Sequence, residues 1–135
     1  MIKVENYPNA YKEVYEILKY NKANNIHFYR MTSALIPLAT LNDVKFDYIN
    51  PYLNLYKKVG DFANKNGIRV DAHPDQFCVL NSINKDIVKN SIEILKYQKA
   101  LSKAFKFTSF KLVLHVGSSA GGKKASITRF INNFN

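Results

Sequence analysis

Arg69-Val70-Asp71-Ala72-His73-Pro74-Asp75-Gln76-Phe77 reads as a short strand that ends on a histidine and breaks at a proline. Pro74 has no N–H to give to a ladder, and it biases His73 toward an extended backbone, so the strand is expected to stop there. Period-two alternation puts Asp71 and His73 on one face. Asp75, Gln76 and Phe77 then fall on the loop beyond. In parallel α/β sheets, polar groups at carboxyl strand ends face the ligand crevice. His73 is therefore either a hydrogen-bonded strand-end histidine or a metal ligand.

Working outward, the same pattern recurs on both sides. Tyr7 to Asn24 has apolar residues at helical spacing (Ala10, Val14, Ile17, Leu18), with Asn9 as the expected N-cap and Asn24-Asn25 as the stop. Ile26 to Met31 is a short aromatic strand, followed by a loop through Pro37 and a polar, irregular stretch over 42–50. Pro51 to Asn66 returns to helical period, and Gly67 follows where a helix C-terminus favours glycine. After the turn-rich Asn81 to Asn84, a long helix is expected over Asp86 to Phe105, with Ile87, Ser91, Ile94, Leu95 and Leu101 inward. Phe110 to Val116 is an apolar strand ending at His115, and Lys123 to Phe134 is a final amphipathic helix.

Strands alternating with helices predict a parallel α/β sheet with right-handed crossovers. The strands recur about every forty residues, close to the unit of a (β/α)₈ barrel, which takes ~250 residues in all. A chain of 135 residues supplies one domain and one modest core. The fold expected is thus a single incomplete (β/α) barrel domain over 1–135.

Composition narrows the partners. At 47% hydrophobic residues the chain is not disordered, and it holds no apolar run of membrane-spanning length and no opening signal-peptide pattern. The single Cys78 rules out an internal disulfide framework, makes the cytoplasm the expected compartment and reads as a small core residue. The net charge of +10, from 20 Lys and Arg against 10 Asp and Glu, permits a polyanionic partner. Because the lysines are scattered, the charge does not by itself point to nucleic acid.

Strands that are neighbours in sequence usually pair in such sheets, so His73 and His115 are expected to meet at one rim and could share a divalent metal. His27 lies at the opposite, amino end of its strand and reads as a packing or surface residue. Arg30 and Ser33 stand at the carboxyl end, where a guanidinium can hold a phosphate. Gly117-Ser118-Ser119-Ala120-Gly121-Gly122-Lys123-Lys124 approaches a phosphate-binding loop, but Lys124 occupies the position of the Mg²⁺-ligating hydroxyl. The milder reading is an anion contact by helix N-terminal amides and Lys123.

The run Tyr29-Arg30-Met31-Thr32-Ser33-Ala34-Leu35-Ile36-Pro37-Leu38-Ala39-Thr40, then His73-Pro74-Asp75-Gln76-Phe77, then Leu114-His115-Val116-Gly117 with Lys123, resembles the UV-damage endonuclease family. That family is a TIM-barrel group related to endonuclease IV and to xylose-isomerase-like barrels. The resemblance implies metal-dependent nicking 5′ to pyrimidine dimers in damaged double-stranded DNA, with manganese favoured and zinc or magnesium as alternatives. It implies that His73 and His115 are metal ligands at the third and fourth strands. Gln76 and Phe77 match the pair that wedges into the duplex, a role suited to an apolar tip with a polar neighbour.

Two departures qualify the resemblance. The Gly-Gly-aromatic-Gly pattern expected after His115 is replaced by Gly117-Ser118-Ser119-Ala120-Gly121. The family's first strand and strands five to eight, with their further ligands, are not found in these residues. The expectation is a chain inactive alone, with no catalytic residue assigned and a second chain as one way to complete the barrel. The alternatives are a sugar isomerase or epimerase barrel and a non-catalytic basic module that binds nucleic acid.

Overall fold

The structure, a computed structural model, describes residues 7–37, 39–40 and 46–135, apart from the side chains of Tyr7 and Pro8. Residues 1–6, Leu38 and the polar stretch over 41–45 lie outside the described residues. The chain order is α1 (Tyr7–Ala23), β1 (Phe28–Met31), a 3₁₀ turn (Asn50–Tyr52), α2 (Leu53–Lys65), β2 (Arg69–Ala72), α3 (Lys85–Phe105), β3 (Phe110–Leu112) and α4 (Lys123–Phe134). The three strands form one parallel sheet in the order β1-β2-β3.

The helix boundaries follow local chemistry. Asn25 takes a left-handed φ of 56° just after α1, and Gly67 does the same at 63° after α2. Asn84 caps α3, its side-chain oxygen accepting from the amides of Asp86 and Ile87. Asn9 is not a cap: α1 already runs from Tyr7, with Pro8 in the first turn, where its missing N–H costs nothing.

The strands are shorter than the apolar runs suggest. β2 ends at Ala72, one residue before His73, because Pro74 follows. β3 stops at Leu112 for a related reason. Its described neighbour is β2, and the last rung is Val113 N–H donating to the Ala72 carbonyl at 3.0 Å. With β2 finished, Leu114 to Val116 have no ladder partner among the described residues, so His115 lies beyond the strand.

The register Arg30–Asp71–Lys111 runs beside Met31–Ala72–Leu112. Adjacent residues point to opposite faces, so the sheet has two distinct sides. Met31, Val70 and Ala72 face the helices and join Tyr11, Tyr56, Leu101 and Phe105 in a buried core. The ring of Tyr56 lies 4.6 Å from that of Tyr11 and 4.7 Å from that of Phe105. The Tyr56 hydroxyl, buried with its ring, donates to the Tyr48 carbonyl at 2.8 Å. Gly60 lets α2 and α3 touch: a Cβ there would meet the Phe105 carbonyl oxygen at 1.7 Å.

Helical spacing overstated some burial. Ser91 and Leu101 of α3 are buried, but Ile94 and Leu95 are half-buried and Ile87 is exposed. Ile127, Ile131 and Phe134 of α4 are exposed too. Beneath α4, residues Ile92, Leu95, Leu112, Leu114 and Phe134 line an apolar cavity of about 410 Å³.

Candidate metal and nucleic-acid rim

Phe28, Arg30, Arg69, Asp71 and Lys111 occupy the other side of the sheet. Among the described residues Asp71 is its single buried carboxylate, flanked in register by Arg30 and Lys111. Arg69 Nη2 donates to Asp71 Oδ2 at 3.2 Å. Arg69 Nε also lies 3.2 Å from Oδ1, but it is not aimed along a hydrogen bond, and that oxygen stays unsatisfied. A buried carboxylate needs such cations, and the surplus positive charge leaves this face attractive to anions.

The carboxyl rim carries the histidines. The rings of His73 and His115 meet edge to face, with centroids 4.6 Å apart and planes at 70°. His73 is half-buried and His115 exposed. His73 also lines a cleft of about 640 Å³ together with Arg30, Thr32, Ser33 and Tyr29. The structure thus brings Arg30 and Ser33 beside one of the two imidazoles. His27 is a surface residue at the far end of β1, as its position in sequence indicates.

The loop after β2 is folded outward. Cys78 N–H donates to the Asp75 carbonyl at 2.8 Å, and Phe77 N–H to Asp75 Oδ1 at 2.9 Å. This Asx turn places Gln76 and Phe77 at the tip. Phe77 is 72% exposed, an uncommon position for a large apolar ring. Cys78 turns inward instead, and burial pushes its thiol above the ordinary value, as suits a core residue. Lys123 opens α4 on the surface, preceded by Gly121 and Gly122 at φ 74° and 91°.

Two polar features were not anticipated. Tyr97 and Gln98 of α3 hold the loop after β1: the Tyr97 hydroxyl accepts from Ile36 N–H at 2.9 Å, and Gln98 Nε2 donates to the Ser33 carbonyl at 3.2 Å. Asn81, fully buried, joins the loop after β2 to the loop after β3. Nothing in the run Asn81 to Asn84 marks the first asparagine as different, because its partners lie far along the chain.

The two imidazoles fit part of a metal's coordination shell, since nitrogen donors converge at an open rim. They do not fill one: among the described residues no group of three or more His, Cys, Asp or Glu is placed to hold a metal ion.

A parallel sheet of strands and crossover helices with paired histidines at its carboxyl end is the architecture of part of a (β/α) barrel. The comparisons with known proteins agree and are more specific. The family description "UV-endonuclease UvdE" matches residues 3–135, and the chain belongs to that family. It is 36% identical over 118 residues to the UV DNA damage endonuclease of Bacillus cereus strain 03BB102, and 36% identical over 118 residues to that of Bacillus mycoides strain KBAB4. Each alignment takes in 87% of this chain but 37% of the relative. The solved structure titled "Crystal Structure of SacUVDE" superposes with a TM-score of 0.91 at 34% identity, over 98% of this chain and 47% of that one. The fold matched is therefore part of a barrel, and the chain spans well under half the length of these Bacillus relatives.

Proposed function

We propose that this chain forms part of the metal- and lesion-binding rim of a UV-damage DNA endonuclease. The observation that carries this reading is the contact of His73 with His115, with Phe77 exposed on the loop that His73 opens. In it, His73 and His115 hold a divalent metal, manganese in preference to zinc or magnesium. When bound, such a metal supplies Lewis acidity and an activated water for phosphodiester hydrolysis. Phe77 wedges into the duplex at a lesion and Gln76 supports it, while Arg30, Ser33 and Lys123 contact phosphates. The partner is damaged double-stranded DNA, and the compartment is the cytoplasm. No described helix is long and apolar enough to cross a membrane.

Two imidazoles are an incomplete hydrolytic centre, so these 135 residues are expected to bind but not to cut, unless a second chain completes the barrel. Mobility-shift titration should show preference for UV-irradiated over untreated duplex. Phe77→Ala should erase that preference while leaving salt-sensitive binding. Equal affinity of the unaltered chain for both duplexes would remove the wedge role. On irradiated supercoiled plasmid with Mn²⁺, no nicking above background is expected, and robust lesion-dependent nicking would overturn the inactivity.

One observation favours a second reading, a basic module that binds nucleic acid without chemistry: the +10 charge accompanies only a partial ligand set among the described residues. DNA binding retained with no divalent metal taken up would support it.

A further inference from the structure

We propose that Asn81 is a positioning residue that holds His115 against His73. His115 stands past the last sheet hydrogen bond, Val113 N–H to Ala72 carbonyl. The next anchor along the chain is Ser118, and Asn81 grips it from both sides. Ser118 N–H donates to Asn81 Oδ1 at 3.2 Å, and Asn81 Nδ2 donates to the Ser118 carbonyl at 2.8 Å. Leu114 to Gly117 are thus a short bridge slung between these two anchors, and the imidazole of His115 rides on it.

The packing around Asn81 leaves it little freedom. Its side chain is fully buried, and Nδ2 also reaches Ser126 Oγ of α4 at 2.6 Å. Ser126 Oγ in turn donates to the Ser118 carbonyl at 2.8 Å. Gly117 passes so close that a Cβ would meet Asn81 Oδ1 at 2.0 Å, and its φ of 92° suits glycine. Arg129 Nε donates to the Asn81 backbone carbonyl at 2.8 Å, and Arg129 Nη2 to the Ala120 carbonyl. A buried amide with its donor and acceptor both engaged is costly to misplace.

Asn81 belongs to the loop that begins at His73 and carries Gln76 and Phe77. The loop of one histidine therefore clasps the loop of the other, and the distance between the imidazoles is set by a side chain that touches neither. The importance of that distance rests on the metal-site reading above; the clasp itself does not.

The test uses the metal-free chain with ¹³C-labelled histidine, observing the nuclear Overhauser contact between the rings of His73 and His115. Asn81→Ala, folded by far-UV circular dichroism, should lose that contact, and exchange of the Ser118 amide should quicken at least about five-fold. Asn133→Ala removes a bond from α4 to the Leu80 carbonyl without touching Ser118, and should keep the ring contact. A purely structural role for Asn81 would lower the melting temperature and leave the rings together, which would overturn the proposal. Should Asn81→Ala not fold, Ser126→Ala loosens the same grip, and its ring contact should fall by at least about half; an unchanged contact would refute the clasp. If the contact depends on Asn81 but the unaltered chain binds no Mn²⁺, the metal reading fails and the clasp stands.

Discussion

The two sides of the same three strands are built on opposite terms. On one, Met31, Val70 and Ala72 disappear beneath helices, against Tyr11, Tyr56 and Phe105. On the other, Arg30, Arg69 and Lys111 surround one carboxylate, and two imidazoles meet at the rim. One residue of register separates them. The closed side draws its stability from area removed from water. The open side holds an excess of cations over carboxylates, an under-satisfied Asp71 oxygen and an exposed aromatic ring, none of which buries apolar area. Such a division frees the rim to bind without endangering the core.

Substitutions should separate the two sides sharply. Phe105→Ala on the closed side should cost about 3–5 kcal/mol in chemical denaturation, since its ring is fully buried against Tyr56 and Phe107. Gly60→Ala should follow at about 2–3 kcal/mol, because the new methyl meets a backbone carbonyl that cannot step aside. His115→Ala and Phe77→Ala, both exposed, should shift stability by no more than about 0.5 kcal/mol. A large loss in either would show that the rim also holds the core together.

The smallest effect expected is a pH dependence at the boundary. Burial raises the Cys78 thiol, so the fold favours the neutral form. That contribution is complete below the unfolded thiol's ordinary value and declines as pH rises through the folded one. Denaturation midpoints should therefore fall more steeply above the ordinary thiol range than they do for Cys78→Val. Parallel curves would remove Cys78 from the core's titration.

Local signals carried the reading a long way. Pro74 marked the end of β2, Gly67 the end of α2, and the even recurrence of strands the parallel sheet. The meeting of His73 and His115 followed from the pairing rule alone. The end of β3 and the clasp were not legible. The length of β3 depends on where β2 stops, which its own apolar run does not encode. Asn81 acts through Ser118 and Ser126, 37 and 45 residues away, and a turn-rich asparagine looks the same whether it caps, solvates or clamps. The exposure of Ile127, Ile131 and Phe134 likewise depends on what lies over α4, not on the spacing of those residues.

The most direct measurement is calorimetric titration of the chain with Mn²⁺, repeated for His73→Ala and His115→Ala. A single weak site that either substitution abolishes, with both variants folded, is the result predicted for a metal held jointly by the two rings. Full retention of binding in either variant, or no binding by the unaltered chain, would contradict it.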